Sequence, residues 1–231
     1  MKYKRIVEGQ FISRPNRFMA KVLLNGEEVV AHVKNTGRCR ELLVPGYHVW
    51  LYVADSVTRK TAYDLVAVEK TLTDGRALLI NMDSSAPNNV AEEWLRSGAV
   101  FSANATIRRE VANGDSRYDF LITKDGRESY LEVKGVTLEE NGIAMFPDAP
   151  TERGVKHIEG LIRLKKEGYG AYILFVVQMR GIKYFTPNVK THLEFAETLK
   201  RAQNSGVNIL CIDSIVSEDG IEYGSPIDVV L

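Results

Sequence analysis

The sequence predicts an α+β protein in which a small all-β barrel is followed by a mixed-sheet α/β domain. From Tyr3 to about Ile80, short apolar runs alternate with turn residues, a rhythm typical of all-β structure. Beyond Pro87, apolar residues at helical spacing alternate with strand-like runs. The continuous apolar run from Ala171 to Val177 predicts a strand covered on both faces, as in mixed or parallel sheets. We therefore expect two domains, residues 1–85 and 86–231.

The amino-terminal half contains five or six strand candidates. They fall at residues 5–12, 18–24, 29–33 and 49–53, and at 63–70 with 77–80 as a further pair. Asn25-Gly26 predicts a hairpin turn between the second and third. So many short strands favour a small closed or partly closed barrel such as an OB-fold, which often binds nucleic acid through a strand face and its loops. Small barrels also serve as scaffolds without ligands, so the pattern leaves this role open.

The carboxy-terminal half has the order α-β-β-β-α-β-α-β. Its elements are a helix at 90–96 with Asn88 and Asn89 as candidate caps, a strand at 103–111, a hairpin centred on Asp125-Gly126, a helix from the cap Thr151 to Gly168, the strand 171–177, a helix at 188–202 and a strand at 207–212. This order places a three-stranded segment between the first two helices.

The Asp125-Gly126 hairpin carries the most informative residues of the chain. A two-residue loop there sets Asp119 directly opposite Glu132. Since side chains alternate along a strand, Asp119, Glu132 and Lys134 should share one face. The reverse face should be apolar, with Tyr118, Phe120, Ile122, Leu131 and Val133.

Two opposed carboxylates repel each other, and a divalent cation would offset that repulsion. Mg²⁺ is commonly held by one or two carboxylates with waters and phosphate oxygens, so Asp119 and Glu132 are candidate ligands of Mg²⁺ or Mn²⁺. Lys134 would then position the nucleophile or stabilise charge on a phosphate. Glu110, on the preceding strand, is a weaker candidate for a third ligand. The alternative is a solvated hairpin face with an ordinary Lys–Glu pair.

Basic residues in two segments are candidates for contacts with a nucleic-acid backbone. Arg153, Lys156 and His157 fall on the first turns of the helix that follows the hairpin, where backbone N–H groups also favour phosphate. The other candidates belong to the basic first fifty residues, with nine Lys and Arg against four Glu, and are Arg14, Arg17, Asn35, Thr36, Arg38 and Arg40. Weaker site candidates are Asp148, Thr151, Glu152 and Gln178. A capped surface helix and a plain turn explain the same residues without a ligand.

Several classes of protein are disfavoured by the sequence. It has no glycine-rich nucleotide fingerprint and no Gly-x-Ser-x-Gly elbow, so neither a nucleotide cofactor nor a serine hydrolase is indicated. Cys39 and Cys211 fit neither a disulfide framework nor a zinc site. No apolar run is long enough to span a bilayer, and the start lacks the apolar core of a signal peptide. We expect a cytoplasmic protein without a membrane partner; the oligomeric state cannot be read from the sequence.

Two resemblances sharpen these expectations. The arrangement Asp119-x(12)-Glu132-x-Lys134 resembles the signature of the PD-(D/E)xK nuclease superfamily, although Tyr118 replaces the proline often found before the aspartate. Four blocks, Asn35–Gly37, Arg117–Phe120, Leu131–Leu138 and Phe146–His157, closely resemble the sugar fermentation stimulation protein A family. This resemblance implies an OB-like domain, a restriction-endonuclease-like domain and a DNA-binding protein connected with sugar metabolism.

Three functions remain open at this point. The first is a metal-dependent nuclease acting on DNA or RNA through Asp119, Glu132 and Lys134. The second is a non-catalytic DNA-binding regulator that retains the nuclease fold. The third is a sugar-handling enzyme, which is disfavoured because Lys134 lies close to the carboxylates and no aromatic sugar platform is evident.

Overall fold

A computed structural model describes residues 1–35, 37–55, 59 and 61–231. The amino-terminal half contains six strands: β1 (Ile6–Asn16), β2 (Met19–Leu24), β3 (Glu27–Val33), β4 (His48–Val53), β5 (Tyr63–Thr71) and β6 (Ala77–Asn81). β1 lies between β2 and β4, β5 pairs with β4, and a parallel pairing of β3 with β5 closes five strands into a barrel. β6 extends from β5 outside this ring. The predicted OB-like barrel is therefore confirmed.

Side chains alternate between the two faces of these strands, and those on the inner face fill the barrel. Val22, Ala31, Val49 and Leu65 are completely buried in the main core cluster. Their neighbours are partly or fully exposed in β2 and β3, whereas Trp50 and Val66 are buried in a separate small cluster. The Asn25-Gly26 turn adopts positive φ at both residues, as the primed hairpin turns require.

The carboxy-terminal half combines three helices with nine strands among the described residues. They are α1 (Ala86–Arg96), β7 (Thr106–Asn113), β8 (Ser116–Lys124), β9 (Arg127–Val136), β10 (Leu138–Glu140), β11 (Ile143–Phe146), α2 (Glu152–Lys166), β12 (Gly170–Val177), β13 (Tyr184–Pro187), α3 (Leu193–Asn204), β14 (Asn208–Ser217) and β15 (Gly220–Pro226). Six strands form a mixed sheet in the order β15-β14-β12-β9-β8-β7, and β10, β11 and β13 form a smaller sheet. The expected mixed-sheet domain with helices is confirmed.

The strand β12 forms the centre of the large sheet. It runs parallel to both β9 and β14, and its residues 173–177 are completely buried. The helix α1 covers one face with Val90, Trp94 and Leu95, and α2 and α3 cover the other. Both faces of the sheet are therefore covered by helices at β12, as the uninterrupted apolar run predicts.

Several predicted boundaries are wrong. The first helix begins at Ala86 rather than Val90, because Pro87 is accommodated in a first turn, where no intrahelical N–H is needed. The last helix begins at Leu193, because Asn188 bonds to Pro147 and Thr191 in the preceding turn.

Four strands were missing from the predicted order. β10, β11 and β13 are only three or four residues long, and β15 is a carboxy-terminal edge strand. β10 and β11 are joined by Asn141-Gly142, with positive φ at both residues, a turn signal that was present in the sequence.

The barrel is joined to the large sheet beside the end of β12. The Gln178 side-chain amide donates to the Asn81 carbonyl at 3.1 Å and the Asp83 carbonyl at 3.2 Å, and the Asn81 N–H donates to the Gln178 carbonyl at 2.9 Å. No helix in the described residues has the length and apolarity needed to cross a membrane.

Candidate active site

The β8–β9 hairpin has the register that the Asp-Gly turn predicts. Lys124 pairs with Arg127 and Phe120 pairs with Leu131, and both turn residues have positive φ. Continued by one residue, this register sets Asp119 opposite Glu132. The backbone ladder stops there because the Val133 N–H donates to Asp119 Oδ2 at 2.7 Å.

One oxygen of Glu132 receives two donors while the other receives none. The residue is only 3% exposed. Its Oε1 lies 2.5 Å from Lys134 Nζ and is also hydrogen-bonded to Nδ1 of His157. Its Oε2 is buried and has no hydrogen-bond partner among the described residues. A buried carboxylate oxygen without a partner is costly in a folded protein, so it calls for an explanation.

Asp119 is held from the opposite side of the sheet. Its Oδ1 accepts a hydrogen bond from the Asn88 side-chain amide at 2.8 Å, and its Oδ2 accepts the Val133 N–H. Asn88 lies in the first turn of α1, whereas His157 lies on α2. The two carboxylates are thus positioned by different helices on opposite faces of the sheet.

The pKa values of the two carboxyl groups shift in opposite directions. Burial raises the pKa of Asp119, and the charge of Glu132 raises it further. Burial also opposes ionisation of Glu132, but the hydrogen bond from His157 and the Lys134 ammonium outweigh it, so the pKa of Glu132 lies below its ordinary value. Glu132 is therefore the firmly ionised member of the pair.

The predicted face of Tyr118 is wrong. Phe120, Ile122, Leu131 and Val133 do pack together against α1, but Tyr118 packs on the α2 side against Tyr130 and His157. The pairing of β7 with β8 omits Glu110 and Asp119, and Glu110 has a φ of 54°. Within β8, the alternation expected of a regular strand is not kept between Phe120 and Tyr118, at the point where the ladder with β9 ends.

The residues present fit a divalent cation of the Mg²⁺ or Mn²⁺ type. The donor set offers two carboxylates, and the unpartnered Glu132 Oε2 is an oxygen that a cation would satisfy. The described residues contain no group of three or more His, Cys, Asp and Glu side chains arranged around a metal position. Glu110 is exposed beside Arg117, at 3.6 Å, so the structure does not bring it to the other two carboxylates. Water and substrate oxygens would have to complete the coordination.

The predicted phosphate-binding residues of α2 divide into two groups. Arg153, Lys156 and Glu152 are exposed, while His157 is 7% exposed and faces Glu132. Arg153 Nε donates to His157 Nε2 at 3.4 Å. Thr151 caps the helix as predicted, since its hydroxyl accepts the Gly154 N–H.

The predicted residues on the barrel also divide into two groups. Arg14 has a structural role. Its guanidinium donates to four backbone carbonyls, those of Arg17, Asn35, Gly37 and Arg38. Arg17 lies over the Phe18 ring, and the side chains of Arg38 and Arg40 are exposed. Asn35 accepts the Gly37 N–H, whereas Thr36 lies outside the described residues.

Asp148 joins the barrel to the segment leading into α2. Its Oδ2 accepts the Arg38 backbone N–H at 3.0 Å. The loop that carries Arg38 and Arg40 therefore contacts the segment that leads into α2. Gln178, predicted at the site edge, is buried between the barrel and the sheet, next to Gly135.

Sequence reasoning missed two roles at this site. Asn88 was considered only as a helix cap, and His157 only as a phosphate ligand, yet each bonds a carboxylate of the hairpin. Both contacts join residues at least 25 positions apart, and no local pattern signals them. A separate cleft of about 870 Å³ lies between the β5–β6 hairpin and the β10–β11 turn, but its acids and cations include the ion pairs Lys70–Glu139 and Asp74–Arg76. Glu41 at this cleft also has a buried oxygen without a partner in the described part of the chain, but burial raises the pKa of Glu41, whereas the pKa of Glu132 is lowered. We therefore place the candidate site on the hairpin, where the incompletely paired carboxylate is the ionised one and lies opposite a second carboxylate.

Comparisons with known proteins agree with this architecture. The family model described as "Sugar fermentation stimulation protein RE domain" matches residues 85–220, and its amino-terminal OB-domain counterpart matches residues 12–80. Sugar fermentation stimulation protein homologs from Desulfitobacterium hafniense strain DCB-2 and Ruminiclostridium cellulolyticum are 53% and 49% identical over 231 residues, covering all of this chain and 99% and 100% of theirs.

A solved structure shows the same likeness. The structure of Pyrococcus furiosus SfsA in complex with Ca²⁺ is 28% identical, with a TM-score of 0.85 over 100% of this chain and 98% of that chain. The two family models together match most of the chain, and the curated relatives match it from end to end. The chain therefore belongs to the sugar fermentation stimulation protein family.

Proposed function

We propose that this protein is a divalent-metal-dependent nuclease that hydrolyses phosphodiester bonds in DNA. The observation that carries the proposal is the buried, unpartnered Oε2 of Glu132. It belongs to a carboxylate that is held in place by Lys134 and His157 and lies opposite Asp119. A solvated hairpin face would not bury an ionised carboxylate in this way.

The chain supplies the remaining parts of a hydrolytic site. Asp119 and Glu132 Oε2 would hold Mg²⁺ or Mn²⁺, which when bound polarises the phosphorus–oxygen bond and lowers the pKa of a bound water. Lys134 is paired with Glu132, a position from which it can orient the attacking water or stabilise charge developing on the phosphate. Hydrolysis adds one water across the phosphodiester and needs no other co-reactant, in keeping with the absence of a nucleotide-cofactor motif.

Two further observations support metal and nucleic acid as partners. The Pyrococcus furiosus relative was solved in complex with Ca²⁺, an ion that also prefers oxygen ligands. In this chain, Arg38 and Arg40 are exposed on a barrel loop that contacts Asp148, in the segment leading into α2, and Arg153 and Lys156 are exposed on α2 itself. These cations could contact the phosphates of a strand that passes over the hairpin.

The second candidate is a DNA-binding regulator that does not cleave. The exposed Arg and Lys side chains support the regulator as well as they support the nuclease, because contacts with DNA phosphates need no metal. Steep salt dependence of binding with intact substrate would distinguish it from the nuclease.

The deciding experiment compares the wild type with Glu132→Ala. Labelled single- and double-stranded DNA and RNA are incubated with Mg²⁺, Mn²⁺ or EDTA, and both binding and cleavage are followed. We expect cleavage of DNA that requires the metal and falls by at least about 100-fold in Glu132→Ala, whereas binding survives. Metal-independent binding by both proteins, with every substrate intact, would reject the nuclease and favour the regulator.

The proposed contact between the barrel loop and DNA is tested separately with Arg38→Ala, and Arg14→Ala serves as the comparison. Arg38 is exposed, so its loss should weaken binding of all sequences and reduce the salt slope by about 1, with little change in stability. Arg14 bonds four carbonyls, so its loss should lower the melting temperature. An unchanged salt slope in Arg38→Ala would remove this loop from the DNA-binding surface.

A further inference from the structure

We propose that His157 is a positioning residue that reserves one oxygen of Glu132 for the metal ion. It is not a phosphate ligand, although its place on the first turns of α2 suggests that role. The inference rests on the proposed function, since it assigns a role within the same site. It concerns how the chain prepares the ligand before any metal or nucleic acid arrives.

The imidazole of His157 is fixed from three directions. Its Nδ1 is hydrogen-bonded to Glu132 Oε1, and its Nε2 accepts a hydrogen bond from Arg153 Nε at 3.4 Å. The Tyr118 ring packs beside it, with centroids 6.4 Å apart. Nδ1 faces the carboxylate and Nε2 faces Arg153, so the orientation of the ring is held from both sides. A proton on Nδ1 makes this nitrogen the donor to Glu132.

Both donors to Glu132 converge on the same oxygen. Lys134 Nζ reaches Oε1 from two residues along β9, and His157 reaches it from α2. Rotation of the carboxylate would exchange its two oxygens, and these donors would then hold Oε2 and leave Oε1 without a partner. With Oε1 saturated, the remaining oxygen is the one that can bind a cation, and we infer monodentate ligation through Oε2.

A phosphate-binding role would require a different arrangement. A histidine that contacts a nucleic-acid backbone needs an accessible N–H, but His157 is 7% exposed and both ring nitrogens are engaged within the protein. The exposed neighbours Arg153 and Lys156 are better placed for phosphates. His157 thus acts through Glu132, and its loss should alter metal affinity before it alters DNA affinity.

The test uses two substitutions that separate the donor from the ring. His157→Asn keeps an N–H donor near the Nδ1 position but loses the ring, whereas His157→Phe keeps the ring but loses the donor. Binding of Ca²⁺ and of Mn²⁺ to the full chain, without nucleic acid, is measured by calorimetry, and melting temperatures report the fold. The control is His48→Ala, because His48 also pairs with a carboxylate, that of Glu8 at 2.6 Å, on the exposed barrel surface.

We expect His157→Phe to weaken metal binding by about 10–100-fold, as is usual when a residue that orients a metal ligand is lost. His157→Asn should recover most of the affinity, and His48→Ala should match the wild type. Wild-type affinity in His157→Phe, or an equal loss in both His157 variants, would overturn the inference. If His157→Phe does not fold, His157→Ala replaces it, since Ala and Asn both lack the ring and only Asn donates.

The same titrations distinguish this inference from the proposed function. If the wild type binds metal and cleaves DNA but His157→Phe binds metal normally, the nuclease stands and the positioning role fails. If the wild type binds metal and His157→Phe loses it, yet no nucleic acid is cleaved, the positioning role stands and the nuclease fails. If the wild type binds neither ion, both fail.

Discussion

Two groups of buried charges in this protein differ in how completely they are paired. The hairpin cluster consists of Asp119, Glu132, Lys134 and His157. The junction cluster lies where the barrel meets α1 and consists of Asp64, Asp83, Lys34 and Arg59. Both contain two carboxylates and basic partners, yet only the hairpin cluster has a carboxylate oxygen without a hydrogen bond among the described residues.

In the junction cluster, partners surround each carboxylate. Asp83 Oδ2 contacts Lys34 Nζ at 2.9 Å and accepts from the Tyr3 hydroxyl at 3.3 Å, while its Oδ1 accepts from the backbone and hydroxyl of Ser85. Asp64 is paired with Arg59 and lies 3.7 Å from Lys34. The carboxylates of the junction cluster are all hydrogen-bonded or ion-paired within the fold. We therefore do not expect this cluster to bind a ligand.

The difference teaches that burial of charge alone does not identify a functional site. Natural proteins bury paired charges as structural connections, and the desolvation cost is offset by the partners. A buried oxygen without a partner on a carboxylate whose pKa is lowered instead calls for an explanation, and a bound cation supplies one. By this criterion the hairpin cluster is the candidate site and the junction cluster is structural.

The largest expected effect is that of Asp83→Ala on stability. Removing this carboxylate leaves Lys34 partly buried beside one remaining acid, and breaking such a pair costs about 3–5 kcal/mol of unfolding free energy. Denaturant unfolding measures the loss. The matched control is Asp219→Ala, an exposed residue 3.5 Å from Lys2, which should change stability by no more than about 0.5 kcal/mol. Equal effects of the two substitutions would remove the structural role of the junction cluster.

A smaller effect is expected at the start of α2, the helix that positions His157. Thr151→Ala removes the hydroxyl that accepts the Gly154 N–H and should cost about 1 kcal/mol. Thr151→Ser keeps the hydroxyl and serves as the control. If both variants melt alike, the cap contributes nothing, and the rigidity of α2 must come from its packing alone.

The smallest expected effect is a gain of stability in Asp119→Asn. The pKa of Asp119 is raised by burial and by Glu132, so its ionised form is less favourable in the folded chain than in the unfolded one. Replacing it by a neutral isostere should therefore stabilise the protein by about 0.2–1 kcal/mol near pH 7. Asn88 can turn its amide to remain hydrogen-bonded. The variant should nevertheless lose metal affinity.

The pH dependence of this gain follows from the sign of the shift. Between the ordinary pKa of an aspartate, 3.8, and the raised value, the folded state holds more protons than the unfolded one, so wild-type stability attributable to Asp119 falls as pH rises. The advantage of Asp119→Asn should thus be absent below this window and complete above it. Melting temperatures of both proteins from pH 3 to pH 8 provide the measurement, and an advantage that grows toward low pH would contradict the assignment.

The parts of the site that depend on local geometry could be predicted from the sequence, and those that depend on distant contacts could not. Asp125-Gly126 favours positive φ, which sets the register and hence the opposition of Asp119 and Glu132. The face of Tyr118 was mispredicted because regular alternation does not continue past Phe120, where the pairing of β8 with β9 ends. The contact of His157 with Glu132 depends on how α2 crosses the sheet, which no periodicity specifies.

The same distinction holds for the fold. Alternating apolar residues and two strong hairpin signals were sufficient for the barrel and for the β8–β9 pair. The parallel pairing of β3 with β5, which closes the barrel, joins residues about 32 positions apart and is consistent with the pattern without being required by it. The short strands β10 and β11 carry too few residues for alternation to be informative, although Asn141-Gly142 marks their turn.

The pairing of residues near the two ends of the chain constrains the order of folding. The Tyr3 N–H donates to the Asp219 carbonyl at 2.8 Å, and Lys2 bridges to Gly220. The Tyr3 side chain packs with the barrel half, but the backbone partners of residues 2 and 3 lie more than 200 positions further along the chain. The barrel can close earlier through β3 and β5, whereas backbone contacts of such long sequence separation form slowly. Backbone pairing of residues 2 and 3 with Asp219 and Gly220 should therefore be a late step of folding.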